Sequence, residues 1–490
     1  MVSQFHSIDV IGALPLVVMV VGITFILVTD LFRLEKSSTL FSVLGIGTCL
    51  LAWSFSFSFW FLRDRAFNGV VSLEPFTFFF YTIILLGTAL SLMLNAGQLG
   101  AQRVRESVDV DVLVLLAACG GLVMVSATNL IVMFLGFETL SVAVYVLSGS
   151  ARTEKASAEG ALKYFILGAF SSAFLLYGMV LVFGATGSME LSEISNAVAG
   201  PTGSSTLLLT GMALIIFGFA FKVSLVPFHF WAPDAYQGAP VSITTFMAVV
   251  VKSAAFGAFI RILATGFPHV TSEWVGAIAV ISGLTMTVGN LVALRQKSLK
   301  RMLAYSSIAH AGYILMGFVS GASGGWEASL FYVVVYSVMT VASFGVVLIC
   351  TAGGPYQYLN DSISSFRGLG WRHPGIGIVM SIALLSLAGL PPLAGFFGKF
   401  YLFAATVKAG YIGLAILAAL NSVVSLYYYL SVLVVMYFSE EKVEGVTEPR
   451  LLPGSRMAVG LATAVIIFGG VFSARGMNAA KVAVASLVAP

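Results

Sequence analysis

The sequence predicts an all-α polytopic membrane protein of about fourteen transmembrane helices, with two inverted five-helix repeats that each contain a broken helix. Three observations predict it. Only 9% of the 490 residues are charged and 59% are hydrophobic, with a mean hydropathy of +1.00; a soluble domain carries about 25% charge. The apolar residues fall in runs of about 20, the length of a membrane-spanning helix, rather than in the alternating segments of about ten that build a barrel. Two segments also match others farther along the chain at nearly one offset. This composition excludes a cytosolic enzyme, a disordered chain and a nucleic-acid binder. A net charge of +4 says nothing about partners. Cys49, Cys119 and Cys350 lie far apart in apolar runs, so they read as small buried hydrophobes rather than a metal site or disulfide framework.

The spans fall at about 8–29, 39–61, 75–98, 109–127, 129–149, 162–186, 205–225, 240–264, 274–294, 302–320, 327–350, 376–405, 410–437 and 457–475. The first is not read as a signal peptide, because Met1–Asp9 holds no Lys or Arg and no small-residue cleavage site follows. The hydrophilic stretches 187–204, 351–374 and 438–456 are too short for a soluble domain. With the N-terminus outside, the inner loops hold 15 basic residues, among them Arg33, Lys36, Arg103, Arg105, Lys300, Arg301 and Lys442. The outer segments then hold 6: Arg63, Arg65, Arg261, Lys408, Arg475 and Lys481. The positive-inside rule therefore places both termini on the outer, periplasm-like side.

Residues 137–149 (FETLSVAVYVLSG) align with 305–317 (YSSIAHAGYILMG), and 177–187 (YGMVLVFGATG) with 344–354 (FGVVLICTAGG). The offsets, 168 and 167 residues, carry span 5 onto span 10 and span 6 onto span 11. A shift of five spans inverts the second copy, a transporter architecture with its ion site near the midplane. The division is 1–107 for spans 1–3, 108–265 for the first repeat (spans 4–8), 266–437 for the second (spans 9–13), and 438–490 for a loop and span 14. Span 7 runs into Lys222-Val-Ser-Leu-Val-Pro227-Phe-His229, and span 12 contains Gly389-Leu-Pro391-Pro392. Proline removes a backbone donor and breaks a helix. In a membrane such breaks line protein or a wet cavity.

Charges inside spans carry the functional argument. Each costs about 2.5–3.5 kcal/mol at the helix centre on insertion scales, and such residues mark ion pathways. Glu138 stands mid-span. Lys222 lies at the first break, Lys252 mid-span in AVVVKSAAF, and Lys399 just after the second break. Burial favours a neutral amine and a nearby carboxylate favours the ammonium, so Glu138 and Lys222 form a candidate two-state proton switch; a fixed structural ion pair is the alternative. Lys399 would be the terminal donor or acceptor of the second copy. Lys163 is nearer a span end, where snorkelling to the interface competes with a relay position between Glu138 and Lys222. His310 can relay protons near neutrality, or serve as a hydrogen-bonded structural residue. His229, beside Pro227, reads as structural. No haem, flavin, nucleotide or iron–sulfur signature is present in the sequence.

The segments FLGFETLSVAVYVLSG, EGALKYFILGAFSSA, FAFKVSLVPFHFWAPDAYQGAPVSITTFMA, LKRMLAYSSIAHAGYILMG and LAGLPPLAGFFGKFYLF resemble the antiporter-like subunits of respiratory complex I, the proton-translocating NADH:quinone oxidoreductase. The resemblance runs from roughly 75 to 435. Within it the chain is most similar to the N-subunit branch. Lys252 stands where the L and M branches tend to carry His, Lys399 stands where M tends to carry Glu, and no long lateral helix is expected after span 14. The resemblance implies that Glu138 and Lys222 are the family's Glu–Lys pair, Lys163 and Lys252 its connecting lysines, and Lys399 the residue of the second half-channel. His310 matches a commonly polar position. It further implies no cofactor in this chain, with NADH, FMN, iron–sulfur clusters and quinone handled by partner subunits. The expected setting is a hetero-oligomer of membrane-arm subunits in the cell (inner) membrane. The alternatives are a subunit of a multisubunit cation/proton antiporter and the membrane arm of a hydrogenase-type complex.

Overall fold

The structure is a computed structural model that describes residues 7–32, 38–96, 108–200, 205–351, 361–439 and 449–488. The loop residues Arg33, Lys36, Arg103, Arg105 and Lys442, and the end of the second aligned segment (352–354), lie outside them. Among the described residues the regular structure is helical apart from one hairpin, in which Asp64–Ala66 pairs antiparallel with Val71–Leu73. Helices dominate because lipid offers no partner to backbone N–H and C=O, so each span must satisfy its own.

Twelve of the described helices are long and apolar enough to cross a membrane, and two shorter apolar helices, Thr206–Lys222 and Pro374–Ala388, stand where broken spans were expected. Each is followed by a turn and a second helix, Trp231–Gly238 and Ala394–Lys408. Both first halves end in the same way. Leu225 N–H donates to Ala220 C=O (2.8 Å) and Ser224 N–H to Phe221 C=O (3.0 Å). Leu390 N–H donates to Leu385 C=O (3.0 Å) and Gly389 N–H to Ser386 C=O (3.0 Å). This six-to-one, five-to-two pattern is a Schellman cap, which needs a left-handed residue at its C′ position. Gly389 supplies it at φ 88° and Ser224 at φ 61°. The peptide bonds preceding Pro227 and Pro392 are both cis.

At the centre lies Val241–Gly266, whose most apolar window is buried throughout. A helix apolar on all faces belongs in the middle of a bundle. It contains two π-helical turns, Met247–Val251 and Ile262–Gly266, and Lys252 follows the first directly. Around it, Val108–Ser126 packs on Leu130–Ser148, Lys155–Thr186 on Thr206–Lys222, and Thr271–Ala293 on Leu299–Ser320. The last described helix, Ser473–Val488, packs against Pro75–Asn95 and Gly325–Thr351. It was not foreseen, because Ser473, Arg475, Asn478, Lys481 and Ser486 interrupt its apolar residues and lower its hydropathy.

Two positions in the sequence expectations need correction. Arg261, counted as an outer-loop charge, is buried within its helix: its guanidinium pairs with Glu74 (2.8 Å) and donates to Val125 C=O and Thr77 Oγ1 (each 2.9 Å). Lys300, counted in an inner loop, is 4% exposed and donates to Gln237 C=O (2.7 Å) and Ala239 C=O (2.8 Å). In both cases a carboxylate or backbone carbonyls from a neighbouring element meet the charge, which a loop count by sequence does not see.

Lateral packing relies on glycine where two backbones meet. A Cβ on Gly136 would lie 2.6 Å from Met124 N, and one on Gly120 would lie 2.5 Å from Leu140 N. Small residues allow such approaches in membranes, where no hydrophobic effect drives helices together. Gly136→Ala is therefore expected to destabilise the protein by about 1–3 kcal/mol, the usual cost of overpacking. Thermal unfolding in mild detergent checks this against Gly276→Ala, at a helical position with no atom within 4 Å. Equal melting temperatures for the two variants would refute the crossing.

Candidate functional site

The buried charges are set by three features of the fold: the two helix breaks and the π-turn of the central helix. Lys222, Lys252 and Lys399 are 0%, 2% and 4% exposed. Lys222 is the last residue of its half-helix, where the free carbonyl end of the helix favours a cation. Its ammonium donates to Ser141 Oγ (2.6 Å) and faces the rings of Phe137, Tyr145 and Tyr164 at 4.9–5.7 Å. Lys252 donates to both Ser307 C=O (3.0 Å) and Ser307 Oγ (2.5 Å). Lys399 reaches back from the second half of its broken helix. It donates to Ala388 C=O, at the end of the first half, and to Ser422 Oγ, each at 2.9 Å, and lies 4.9 Å from the Tyr313 ring. Tyr145 and Tyr313 occupy matching positions in the two aligned segments, and each lies beside the lysine of its own break.

His310 is buried between Lys252 and Lys399 in a group of phenols. Its Nδ1 is 2.7 Å from Tyr332 OH and its Nε2 3.1 Å from Tyr429 OH. Tyr336 OH donates to Ser307 Oγ (2.7 Å), the hydroxyl that also holds Lys252. Tyr429 shares a hydrogen bond with Ser306, and its ring lies 4.4 Å from that of Tyr428, which donates to Asn290 Oδ1 (2.9 Å). Asn290 Nδ2 lies 3.4 Å from Tyr313 OH. A line of hydroxyl, imidazole and amide groups thus runs from Lys252 to the ring beneath Lys399. On the other side of Lys252, Tyr236 faces its ammonium at 5.9 Å, and Trp231 lies against both Tyr236 and Tyr164. Those aromatic groups connect the surroundings of Lys222 and Lys252.

Glu138 is half-buried one helical turn from Ser141, on the same face. No ion pair within 4 Å joins it to Lys222; the serine hydroxyl holds the ammonium instead. Glu138 Oε1 is buried without a hydrogen-bond partner, as are Tyr164 OH, Ser172 Oγ, Ser224 Oγ and Tyr236 OH nearby in sequence or structure. Lys163 lies apart from this group. Its side chain is 43% exposed and its ammonium sits between Glu159 (2.6 Å) and Asp234 (2.7 Å), with Asp234 also paired to Arg301 (2.7 Å). His229 is buried beside Phe230, with Nδ1 unpartnered. Among the described residues no group of three or more His, Cys, Asp or Glu could hold a metal ion.

Sequence reasoning missed Ser141, Ser307, Ser422, Tyr332, Tyr336 and Tyr429, because serine and tyrosine inside apolar runs look like ordinary helix residues. A signal was present. Ser141 follows Glu138 by three residues and Ser307 precedes His310 by three, which is helical spacing for groups on one face. It also missed Asp111, fully buried in the first turn of its helix, where it accepts from Ser42 Oγ (3.0 Å) and Asn95 Nδ2 (2.9 Å).

A family profile described as NADH:quinone oxidoreductase/Mrp antiporter, TM, matches residues 127–425. The chain is 41% identical over 437 residues to NADH-quinone oxidoreductase subunit N of Trichlorobacter lovleyi, covering 89% of this chain and 88% of that protein. It is 43% identical over 457 residues to subunit N 1 of Sorangium cellulosum, covering 88% and 89%. Its fold matches a chain of respiratory complex I from Thermus thermophilus with TM-score 0.80 and 33% identity, covering 95% of this chain and 98% of that one. With a profile match over more than half its length and two relatives above 40% identity over nearly nine-tenths of the chain, it belongs to the subunit N family of NADH-quinone oxidoreductases.

Proposed function

We propose that this chain is a proton-translocating membrane-arm subunit of a NADH:quinone oxidoreductase, moving protons through its buried lysines while partner subunits carry electrons from NADH to quinone. One observation supports this above the rest: three lysine ammonium groups lie in apolar spans, each held only by neutral oxygens. A cation bound directly only by hydroxyls and carbonyls can give up its proton without stranding a directly paired carboxylate. A structural ion pair could not, since removing one charge strands the other.

In this reading Glu138 biases Lys222. Its carboxylate, one turn from Ser141, stabilises the ammonium when turned toward it and releases it when turned away. The unpartnered atoms around Glu138, Tyr164, Ser224 and Tyr236 are sites for hydrogen-bonded water, which carries the proton between Lys222 and Lys252. Ser307, Tyr336, His310 and Tyr429 carry it from Lys252 toward Lys399. Lys163, with Glu159 and Asp234, is a surface charge cluster through which neighbouring subunits could bias the first half. The two matching caps, and the matching tyrosines beside Lys222 and Lys399, support two inverted copies, 108–265 and 266–437, flanked by 1–107 and 438–490. The chain has no redox centre of its own in this reading; FMN, iron–sulfur clusters and quinone belong to partner subunits of a hetero-oligomer in the cell inner membrane.

Purification of the tagged chain in mild detergent is expected to bring flavin- and iron–sulfur-bearing subunits with NADH–quinone reductase activity. Membrane subunits alone, with no redox activity, would move the assignment to a cation/proton antiporter. Glu138→Gln is expected to lower proton pumping in inverted vesicles by at least about tenfold, toward the roughly 10²–10⁴-fold contributed by a positioned acid or base, with the complex still assembled. Wild-type pumping in that variant would defeat the switch. Both termini are proposed to face the periplasm. A single cysteine placed in the loop 295–301 should then react with an impermeant maleimide only from the cytoplasmic side, and labelling of intact cells would reverse the topology.

A further inference from the structure

Lys300 is a buried lysine that the pathway above does not use. It is the second residue of helix Leu299–Ser320, and its ammonium donates to Gln237 C=O (2.7 Å) and Ala239 C=O (2.8 Å). Those carbonyls stand at the end of Trp231–Gly238, the second half of the first broken span, where a cation is favoured. Capping that helix end is one reading of the residue. Its position relative to Lys252 gives another. Lys300 and Ser307 lie on one face of the same helix, two turns or about 10 Å apart at 1.5 Å per residue. Ser307 holds the Lys252 ammonium with both its C=O and its hydroxyl.

Tyr236 bridges the two lysines. It directly precedes Gln237, and its ring faces the Lys252 ammonium at 5.9 Å. Its hydroxyl is buried with no hydrogen-bond partner from the protein, a place for a bridging water. On the other side of Lys300 the charges approach the surface. Gln237 Oε1 accepts from Arg301 (3.1 Å), Arg301 pairs with Asp234 (2.7 Å), and Asp234 pairs with the half-exposed Lys163 (2.7 Å). Asp361 comes in from the segment after Gly325–Thr351. Its C=O accepts from Leu299 N–H (2.7 Å), and its carboxylate accepts from Ser298 Oγ and lies within electrostatic reach of Lys300. From surface to core the order is therefore Asp234, Arg301 and Asp361, then Lys300, then Tyr236 and Lys252. In the topology proposed above, that surface is the cytoplasmic one.

We propose that Lys300 is the proton-entry residue for Lys252, loading the central lysine from the cytoplasmic side without passage through Lys222. Once Lys252 has handed its proton toward His310, the Lys300 ammonium gives up one proton through water at Tyr236, and Lys252 becomes an ammonium again. The Lys300 amine that remains still has two N–H donors for its two carbonyls, so the cap survives the transfer. It then takes a new proton from cytoplasmic water on the Asp361 side. The proposal rests on the proton-translocating reading of Lys252 and adds a separate way in to it.

The test compares three variants of the intact complex in inverted vesicles, with pumping normalised to assembled complex. Lys300→Arg can still cap the two carbonyls but cannot release a proton at any working pH. Lys300→Gln can still donate to them but has no ammonium proton to pass on. Both are expected to pump at least about tenfold more slowly than wild type, a modest share of the roughly 10²–10⁴-fold that a positioned acid or base contributes. Lys252→Met is the reference and is expected to be as slow. Wild-type pumping by Lys300→Arg, or pumping that falls from Arg to Gln in step with melting temperature, would make the cap its whole role. Either result overturns the proposal and leaves the proposed function standing. Wild-type pumping by Lys252→Met would overturn the proposed function and this entry with it. If Lys300→Arg does not assemble, Lys300→Gln decides alone, and wild-type pumping in it is the overturning result.

Discussion

A lysine ammonium in an apolar helix bundle must find oxygen, and in this protein the oxygens are neutral. Ser141 holds Lys222, Ser307 holds Lys252, and Ala388 C=O with Ser422 holds Lys399. Much of the backbone is arranged around that requirement. A straight helix has no free carbonyl in its middle, so an ammonium there competes with the helix's own ladder. Breaking the helix frees carbonyls inside the apolar bundle and points the negative end of the first half toward the charge. At the first break Lys222 is the last residue of its half-helix and its ammonium goes to Ser141, and at the second Lys399 reaches back to the freed carbonyl of Ala388.

The central helix solves the same problem by another route. Val241–Gly266 is unbroken, yet a π-turn precedes Lys252. Such turns cluster at functional sites. Here the oxygens come from the neighbouring helix, at Ser307. Elsewhere in the core a full ion pair is used: Arg261 and Glu74 meet at 2.8 Å with further hydrogen bonds to the guanidinium. The contrast separates two kinds of buried charge. Neutralising one member of the pair would strand the other charge, whereas an ammonium held by hydroxyls and carbonyls has no directly paired carboxylate to strand.

The sequence made the membrane fold legible because about 20-residue apolar runs have few other uses. Lys222, Lys252 and Lys399 were legible for the same reason: a charge in such a run stands out against it, and proline marked the breaks beside two of them. Lys163 was ambiguous in sequence, and the structure places it with Glu159 and Asp234 at the protein's surface. The tyrosines around His310 were not legible, since their rings satisfy the apolar pattern and only the fold brings their hydroxyls together. Arg261 was misread because the end of a span is not the edge of the bundle. Helix Ser473–Val488 was missed because polar residues interrupt its apolar ones and lower its hydropathy.

The hydrogen bonds of His310 have a consequence for direction. A neutral imidazole has a single N–H, so one ring nitrogen donates and the other accepts. Tyr332 and Tyr429 sit on opposite nitrogens. If Tyr332 accepts, Tyr429 must donate to the ring, and Ser306 must then donate to Tyr429; with the other tautomer Tyr332 donates to the ring and Tyr429 accepts from it, leaving the Tyr429 hydrogen free for another acceptor. The position of one hydrogen on one ring therefore sets the donor in both bonds to the imidazole. The two phenols are geared to one ring: neither can exchange its role toward the imidazole unless the other does so too.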